Sequence, residues 1–87
     1  MADIQITCIT KPEPQNIHEA ITHVGGAGWK KTVATVIKEI EDKVNTYYTF
    51  VGQRAEVLVV NGANGKYLRS HRDGTPNDNL LALPQCP

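Results

Sequence analysis

Hydrophobic and polar residues follow regular patterns in separate stretches of the chain. Near its start, Ile4, Ile6 and Cys8 alternate with polar residues, which predicts a strand with one side in a core. A second strand is predicted over Glu19–Val24, with a helical turn as the alternative. This stretch ends at the pair "GG", where glycine tolerates a positive φ.

The clearest period is helical and lies between Thr32 and Val44. Apolar residues repeat there at intervals of three and four, at Val33, Val36, Ile37, Ile40 and Val44. This spacing predicts an amphipathic helix with one buried face. Thr32 is expected to cap its start, and Glu39 to pair with Lys43 one turn further along.

Three segments after the helix, "TYYTFV", "RAEVLVV" and "KYLRS", are rich in β-branched and aromatic residues. Gly52-Gln53 suits a type II′ hairpin turn between the first two, and "NGANG" suits a reversal before the third. These segments predict an antiparallel meander. With the N-terminal strand or pair, the expected fold is α+β: an antiparallel sheet of four to five strands with one amphipathic helix packed on one face.

The last stretch of the sequence, "SHRDGTPNDNLLALPQCP", combines turn residues with a leucine cluster. "RDGT" predicts a turn, and Asn77 or Asp78 can cap a short helical turn that carries the leucines. A small domain rarely leaves three nearby leucines in solvent. We therefore expect this segment to plug one end of the core.

Composition narrows the class of protein. A chain of 87 residues suits one domain, 1–87. Nine Lys and Arg balance nine Asp and Glu, so no overall electrostatic field attracts the protein to nucleic acid. No stretch approaches a membrane span, and "MADIQITCIT" lacks the pattern of a signal peptide. We expect a cytoplasmic protein without a membrane partner. Cys8 and Cys86 are expected to be free thiols, and "KPEPQ" at Lys11–Gln15 to be a loop.

Four segments carry a family resemblance along essentially the whole chain: "CITKP", "HEAITHVGGAGW", "TVATVIKEIEDK" and "GKYLRSHRDGTPNDNLLALPQCP". In this order they resemble a family of short bacterial domains of unknown function. The resemblance implies an independent small α+β domain with no assigned reaction, so it carries over no catalytic residue.

Two motifs fall short of a known site. "GGAGWKKT" does not match the phosphate-binding loop pattern, because Lys30 stands where glycine is needed. The segment is therefore interpreted as a glycine turn. Lys30 and Lys31 beside the start of the helix could still attract an anion weakly. The thiols and imidazoles are Cys8, His18, His23, His71 and Cys86, and their spacing matches no zinc signature. No cofactor is predicted, with structural zinc on these five residues as the alternative.

Nucleic-acid binding is a further alternative. Basic and aromatic residues alternate along the last predicted strand, near the aromatic residues of "TYYTF": Lys66, Tyr67, Arg69, His71 and Arg72. Such a surface can stack bases and neutralise phosphates of a single strand. At zero net charge the binding would be weak and strongly dependent on salt.

The prediction from the sequence is a non-enzymatic binding or interaction module, monomeric or homodimeric, whose partner is a protein or a small ligand. Its candidate site is the polar loop after the last strand, with His71, Arg72, Asp73, Asn77, Asp78 and Asn79. Loops on a rigid scaffold commonly carry binding residues. The alternative is that Asp73, Asn77 and Asp78 only form turns and caps.

Overall fold

The computed structural model describes residues 2–11, 18–63, 65–72 and 74–86, apart from the side chain of Glu19. The predicted loop beyond Lys11 and the candidate residue Asp73 lie outside this part of the chain. The elements are β1 (Ala2–Gln5), β2 (Cys8–Thr10), a 3₁₀ helix (His18–Ala20), β3 (His23–Gly26), β4 (Trp29–Thr32), α1 (Val33–Glu41), β5 (Asn45–Phe50), β6 (Arg54–Gly62), β7 (Gly65–Arg72) and β8 (Thr75–Pro76).

The strands form two sheets rather than one. The larger sheet has the order β1-β5-β6-β7-β8, and the smaller has the order β2-β3-β4. All neighbours are antiparallel except β1, which runs parallel to β5. The predicted α+β class, with one α-helix among the described residues, is therefore confirmed, whereas the single antiparallel sheet is wrong.

The predicted first strand is divided between the two sheets. The backbone N–H of Ile6 donates to the carbonyl of Tyr48 in the larger sheet, at 2.8 Å, and that of Thr7 donates to Gly25 in the smaller sheet, at 2.8 Å. The chain thus changes sheet between Ile6 and Thr7. Ile6 and Ile9 are both fully buried although they are three residues apart, because the strand is not continuous between them.

The glycine pair Gly25-Gly26 has a different role from the one predicted. Both residues lie within β3 without a positive φ, and the turn before β4 uses Gly28 instead, with φ 80°. A Cβ at Gly26 would lie 2.5 Å from Nε1 of Trp29, and a Cβ at Gly25 would lie 2.9 Å from Sγ of Cys8. The pair is therefore needed for close approach. β4 was not predicted, because "WKKT" shows little apolar alternation.

The predicted helix is present but shorter, at Val33–Glu41. Thr32 caps it as expected, since its hydroxyl accepts a hydrogen bond from the N–H of Thr35 at 3.2 Å. The helix cannot continue through Lys43, whose φ is 57°, and Val44 is consequently exposed. No helix in the described part of the chain has the length and apolar character needed to cross a membrane.

The predicted meander of β5, β6 and β7 is confirmed. Phe50 pairs with Arg54, so the first hairpin loop has three residues rather than two, and Gly52 adopts φ 75° within it. Gly62 pairs with Gly65, which places the second reversal within the predicted "NGANG" segment.

One hydrophobic core unites both sheets and the helix. Its buried members are Ile6, Ile9, Ile21, Val24, Val36, Ile37, Tyr47, Val57, Leu68 and Leu80. Leu80 is fully buried, and Leu81 and Leu83 pack against the same cluster. The predicted plug is thus confirmed.

Cys8 and Cys86 form a disulfide bond, so the expectation of free thiols is wrong. The two residues are separated by 78 positions in the sequence. Closing a loop of this length restricts the unfolded chain, which the chain-entropy model values at about 4 kcal/mol. The pairing brings the leucine-rich segment to β2.

Candidate functional site

The predicted polar loop borders two surface grooves that share Arg72. The larger has a volume of about 330 Å³ and is lined by Gln53, Arg72, Thr75, Pro76 and Asn77. The other, of about 270 Å³, is lined by Arg54, Glu56, His71 and Arg72. Of the six predicted site residues, the structure therefore places His71, Arg72 and Asn77 at these grooves. Gln53 and Thr75 were not predicted, because they carry no charge and no recognisable motif.

Arg72 owes its position to the hairpin between β7 and β8. It is the last residue of β7 and pairs with Thr75, while Gly74 takes up the reversal with φ 78°. Its side chain is exposed and makes no ion pair with any described residue. Arg54 differs, because its guanidinium pairs with Asp3 at 2.7 Å and with Glu56 at 2.8 Å. Hydrogen bonding and charge from Arg54 lower the pKa of Asp3.

Asn77 links the loop to β7. Its Oδ1 accepts hydrogen bonds from Oγ of Ser70 at 2.6 Å and from the N–H of Asn79 at 3.1 Å. The N–H donor identifies this atom as the oxygen, so the other atom is the NH₂ group. That Nδ2 is buried and finds no hydrogen-bond partner among the described residues. Asn77 therefore fixes the loop to β7, and its buried NH₂ group is not presented to the groove.

The neighbouring loop residues make internal contacts. Asn79 donates from Nδ2 to the carbonyl of Gln53 at 3.1 Å, and Asp78 pairs with Arg69 at 3.4 Å. Nδ1 of His71 lies 3.2 Å from the carbonyl oxygen of Arg69. The internal contacts of Asn77 and Asp78 agree with the alternative that these two residues only form turns and caps. Arg72 differs from them because none of the described carboxylates pairs with its charge.

Two of the basic residues proposed for nucleic-acid binding are paired with carboxylates, whereas Arg72 has no ion pair with a described residue. Lys66 pairs with Glu41, and Arg69 pairs with Asp78. Tyr67 is half-buried over Gly62, where a Cβ would lie 2.8 Å from its ring. The surface therefore offers phosphates fewer free cations than the sequence suggests.

The residues proposed for zinc are not assembled into a site. Cys8 and Cys86 are bonded to each other. Among the described residues, no group of three or more His, Cys, Asp or Glu side chains is arranged to hold a metal ion. His18, His23 and His71 lie on three different elements.

The most strongly perturbed carboxylate is Glu39, which the sequence did not mark as a site. Its Oε1 accepts hydrogen bonds from the hydroxyl of Tyr47 and from Nδ2 of Asn45, and its Oε2 lies 3.0 Å from Nζ of Lys31. These contacts, led by the Tyr47 hydroxyl, lower the pKa of Glu39 to about 2. The predicted pair of Glu39 with Lys43 is wrong, because Lys43 lies beyond the helix end.

The positive charge of Lys31, one of the two lysines expected to attract anions, is paired with Glu39 in this cluster. Its ammonium lies 3.1 Å from the hydroxyl of Tyr47, and its pKa is raised by that hydroxyl and by Glu39. Burial, together with the bond to Glu39, raises the pKa of Tyr47. The cluster joins β4, α1 and β5 and has no charge left for a ligand.

Of three comparisons with known proteins, one found a match. No curated protein and no solved structure matches the chain. A family model does match, over residues 5–84, and its description is "protein of unknown function (DUF3892)". The match covers nearly the whole chain and agrees with the resemblance seen in the sequence. This chain therefore belongs to the DUF3892 family of proteins of unknown function.

Proposed function

We propose that this protein is a non-enzymatic binding module that recognises an anionic group of a protein or small ligand at Arg72. The observation that carries the proposal is the position of this guanidinium. It borders both grooves, it is exposed, and it has no ion pair within the described residues.

The chemistry of the groove walls supports an anionic ligand. Arginine presents several N–H donors in a planar array that matches a carboxylate or a phosphate. Asn77 lines the larger groove together with Arg72. A ligand that accepts hydrogen bonds would satisfy the guanidinium, whereas a cation would be repelled.

The scaffold supports recognition rather than a reaction. Ser70 and Asn77 hold the loop to β7 through hydrogen bonds, so the groove is built before a ligand arrives. The two cysteines, which are the strongest candidate nucleophiles in the chain, are bonded to each other. The proposal therefore contains no covalent step.

Nuclear magnetic resonance of the ¹⁵N-labelled protein tests this proposal. The probes are inorganic phosphate and a terminally blocked peptide of four glutamates. Binding at a single exposed guanidinium should be weak and should weaken further as salt is added. We expect shifts confined to the amides of residues 53, 71, 72 and 75–77.

The matched control is Lys43, another basic residue that has no ion pair with a described residue. Arg72→Gln should abolish the localised shifts, and Lys43→Gln, which removes one exposed positive charge at the end of α1, should leave them unchanged. Shifts spread over the whole surface, or equal binding by the two variants, would contradict the proposal.

The cytoplasmic location and the oligomeric state remain predictions. A disulfide and a reducing compartment oppose each other, because cytosolic reductants keep most thiols reduced. Alkylation of the two cysteines in intact cells would report their redox state. Native mass spectrometry would distinguish a monomer from a homodimer.

A further inference from the structure

Residues 84–86, here named the strap, cover one edge of β2. The N–H of Ile9 donates to the carbonyl of Pro84 at 3.0 Å, and the N–H of Cys86 donates to the carbonyl of Ile9 at 2.8 Å. The side chain of Gln85 continues the pattern. Its Oε1 accepts from the N–H of Lys11 at 3.3 Å, and its Nε2 donates to the carbonyl of Lys11 at 3.1 Å. The strap thus satisfies four main-chain groups along this edge.

The disulfide that fixes the strap lies at a cavity. This cavity has a volume of about 230 Å³ and is lined by Cys8, Gly26, Gly28, Trp29, Lys30 and Cys86. Both cysteines are half-buried, so the bond is not sealed inside the core. A small thiol or the reactive end of a dithiol can approach the sulfur atoms through such an opening.

Small residues keep this region open. A Cβ at Gly25 would lie 2.9 Å from Sγ of Cys8 and 3.2 Å from Sγ of Cys86, so both sulfur atoms pack against bare backbone. Gly28, at the cavity wall, has open space where a side chain would be. The glycines of the "GGAG" sequence therefore shape the surroundings of the disulfide.

The leucine plug is attached to the sheet independently of the disulfide. The N–H of Leu80 donates to Oγ of Ser70 at 3.0 Å, and Oγ of Ser70 donates in turn to Oδ1 of Asn77 at 2.6 Å. The N–H of Ala82 donates to the carbonyl of Asp78 at 2.9 Å. Leu80 is therefore held in the core by contacts that do not involve the disulfide.

We propose that the Cys8–Cys86 disulfide is a thiol-exchange site, reached through the Trp29 cavity, whose reduction by a dithiol releases the strap from β2. The thiolate of the dithiol attacks one sulfur and expels the other cysteine as a thiolate. The second thiol of the reductant then attacks the reductant's own sulfur in the mixed disulfide and expels the remaining cysteine as a thiolate. In total the dithiol loses two electrons and two protons and becomes a disulfide, while Cys8 and Cys86 become thiols.

Release changes what β2 presents to other molecules. The N–H and C=O groups of Ile9 and Lys11 lose their partners on the strap side. An exposed strand edge of this kind accepts main-chain hydrogen bonds from an extended peptide segment. The exchange site therefore controls access to a strand edge.

The first test uses the native wild-type protein with dithiothreitol, trapping with N-ethylmaleimide and mass spectrometry. If the cavity gives direct access, the reduction rate changes less than twofold between 0 and 2 M urea. If reduction requires global unfolding, the rate rises tenfold or more over this range, since urea lowers the free energy of unfolding by about 1 kcal/mol per molar. The second result would overturn the proposal.

The second test is hydrogen exchange of the reduced protein and of the Cys8→Ser/Cys86→Ser variant. We expect the amides of Ile9 and residue 86 to lose all measurable protection, while the amides of Ile37 and Ile40 in α1 stay protected, at a level lowered by the global stabilisation that the disulfide contributes. Gln85→Ala is the matched control, because it removes the side-chain bonds to Lys11 and leaves the disulfide intact. It should keep the Ile9 amide protected.

Two outcomes of this exchange experiment would overturn the proposal. Complete loss of protection in α1 on reduction would show that the disulfide only holds the fold together. Unchanged protection at Ile9 and residue 86 would show that the strap stays bound without it.

Discussion

Replacing the Glu39 carboxylate should remove a stabilisation that depends on pH. The pKa of Glu39 lies at about 2 in the folded protein against 4.5 for an ordinary glutamate, because Tyr47, Asn45 and Lys31 favour its ionised form. A difference of about 2.5 between the two pKa values corresponds to about 3 kcal/mol. The side chain is 19% exposed, and solvent screening reduces this contribution to about 1–3 kcal/mol.

The variant Glu39→Gln keeps the shape of the side chain and removes its charge. Because the folded-state pKa is lowered, the stabilisation is fully present above pH 4.5 and disappears as the pH falls toward 2. At pH 7 the free energy of unfolding of the variant should therefore be about 1–3 kcal/mol lower than that of the wild type. At pH 2 the two proteins should differ by much less.

Urea unfolding at several pH values measures this difference, and Trp29 provides the signal. It is the only tryptophan in the chain, and its ring centroid lies 5.8 Å from that of Tyr47. Glu41→Gln is the control. Its ion pair with Lys66 is exposed on both sides and should contribute less than about 1 kcal/mol. A Glu39→Gln effect that is absent at pH 7, or constant from pH 7 to pH 2, would refute the reasoning.

Three further substitutions test the packing by urea unfolding. Leu80→Ala removes a fully buried plug residue and should cost about 2–5 kcal/mol; a cost below 1 kcal/mol would show that the plug is dispensable. Gly26→Ala would place a Cβ 2.5 Å from Nε1 of Trp29 and 2.7 Å from the carbonyl of Gln5. It should lower the free energy of unfolding by about 1–3 kcal/mol. A variant as stable as the wild type would contradict this close approach. Thr32→Ala removes the helix cap and should cost about 1 kcal/mol, whereas no change would show that the cap is replaced by water.

The sequence was least informative about the candidate site. Arg72, His71 and Asn77 were predicted because they lie in a polar loop, and the structure does place them at the two grooves. Their neighbours could not be sorted in advance, since the partners of Asp78 and Asn79 lie 9 and 26 residues away in the sequence. Which charges are free and which are paired depends on these distant contacts.

Local patterns determined the helix, the β5–β7 meander and the leucine plug. In each case the spacing of apolar residues and the neighbouring turn or cap residues act within a few positions, so they can be recognised along the chain. The helix end was predicted less well, because Lys43 leaves the helical conformation although the apolar period continues to Val44.

Only the tertiary structure decided how distant segments meet. The parallel pairing of β1 with β5, the change of sheet after Ile6, the Cys8–Cys86 bond and the partners of Glu39 all join separate elements. The glycine pair Gly25-Gly26 shows the same limit. Its sequence signals conformational freedom, but its role comes from the disulfide and the indole ring that pack against it. Such contacts depend on the shape of the whole core, which no local pattern records.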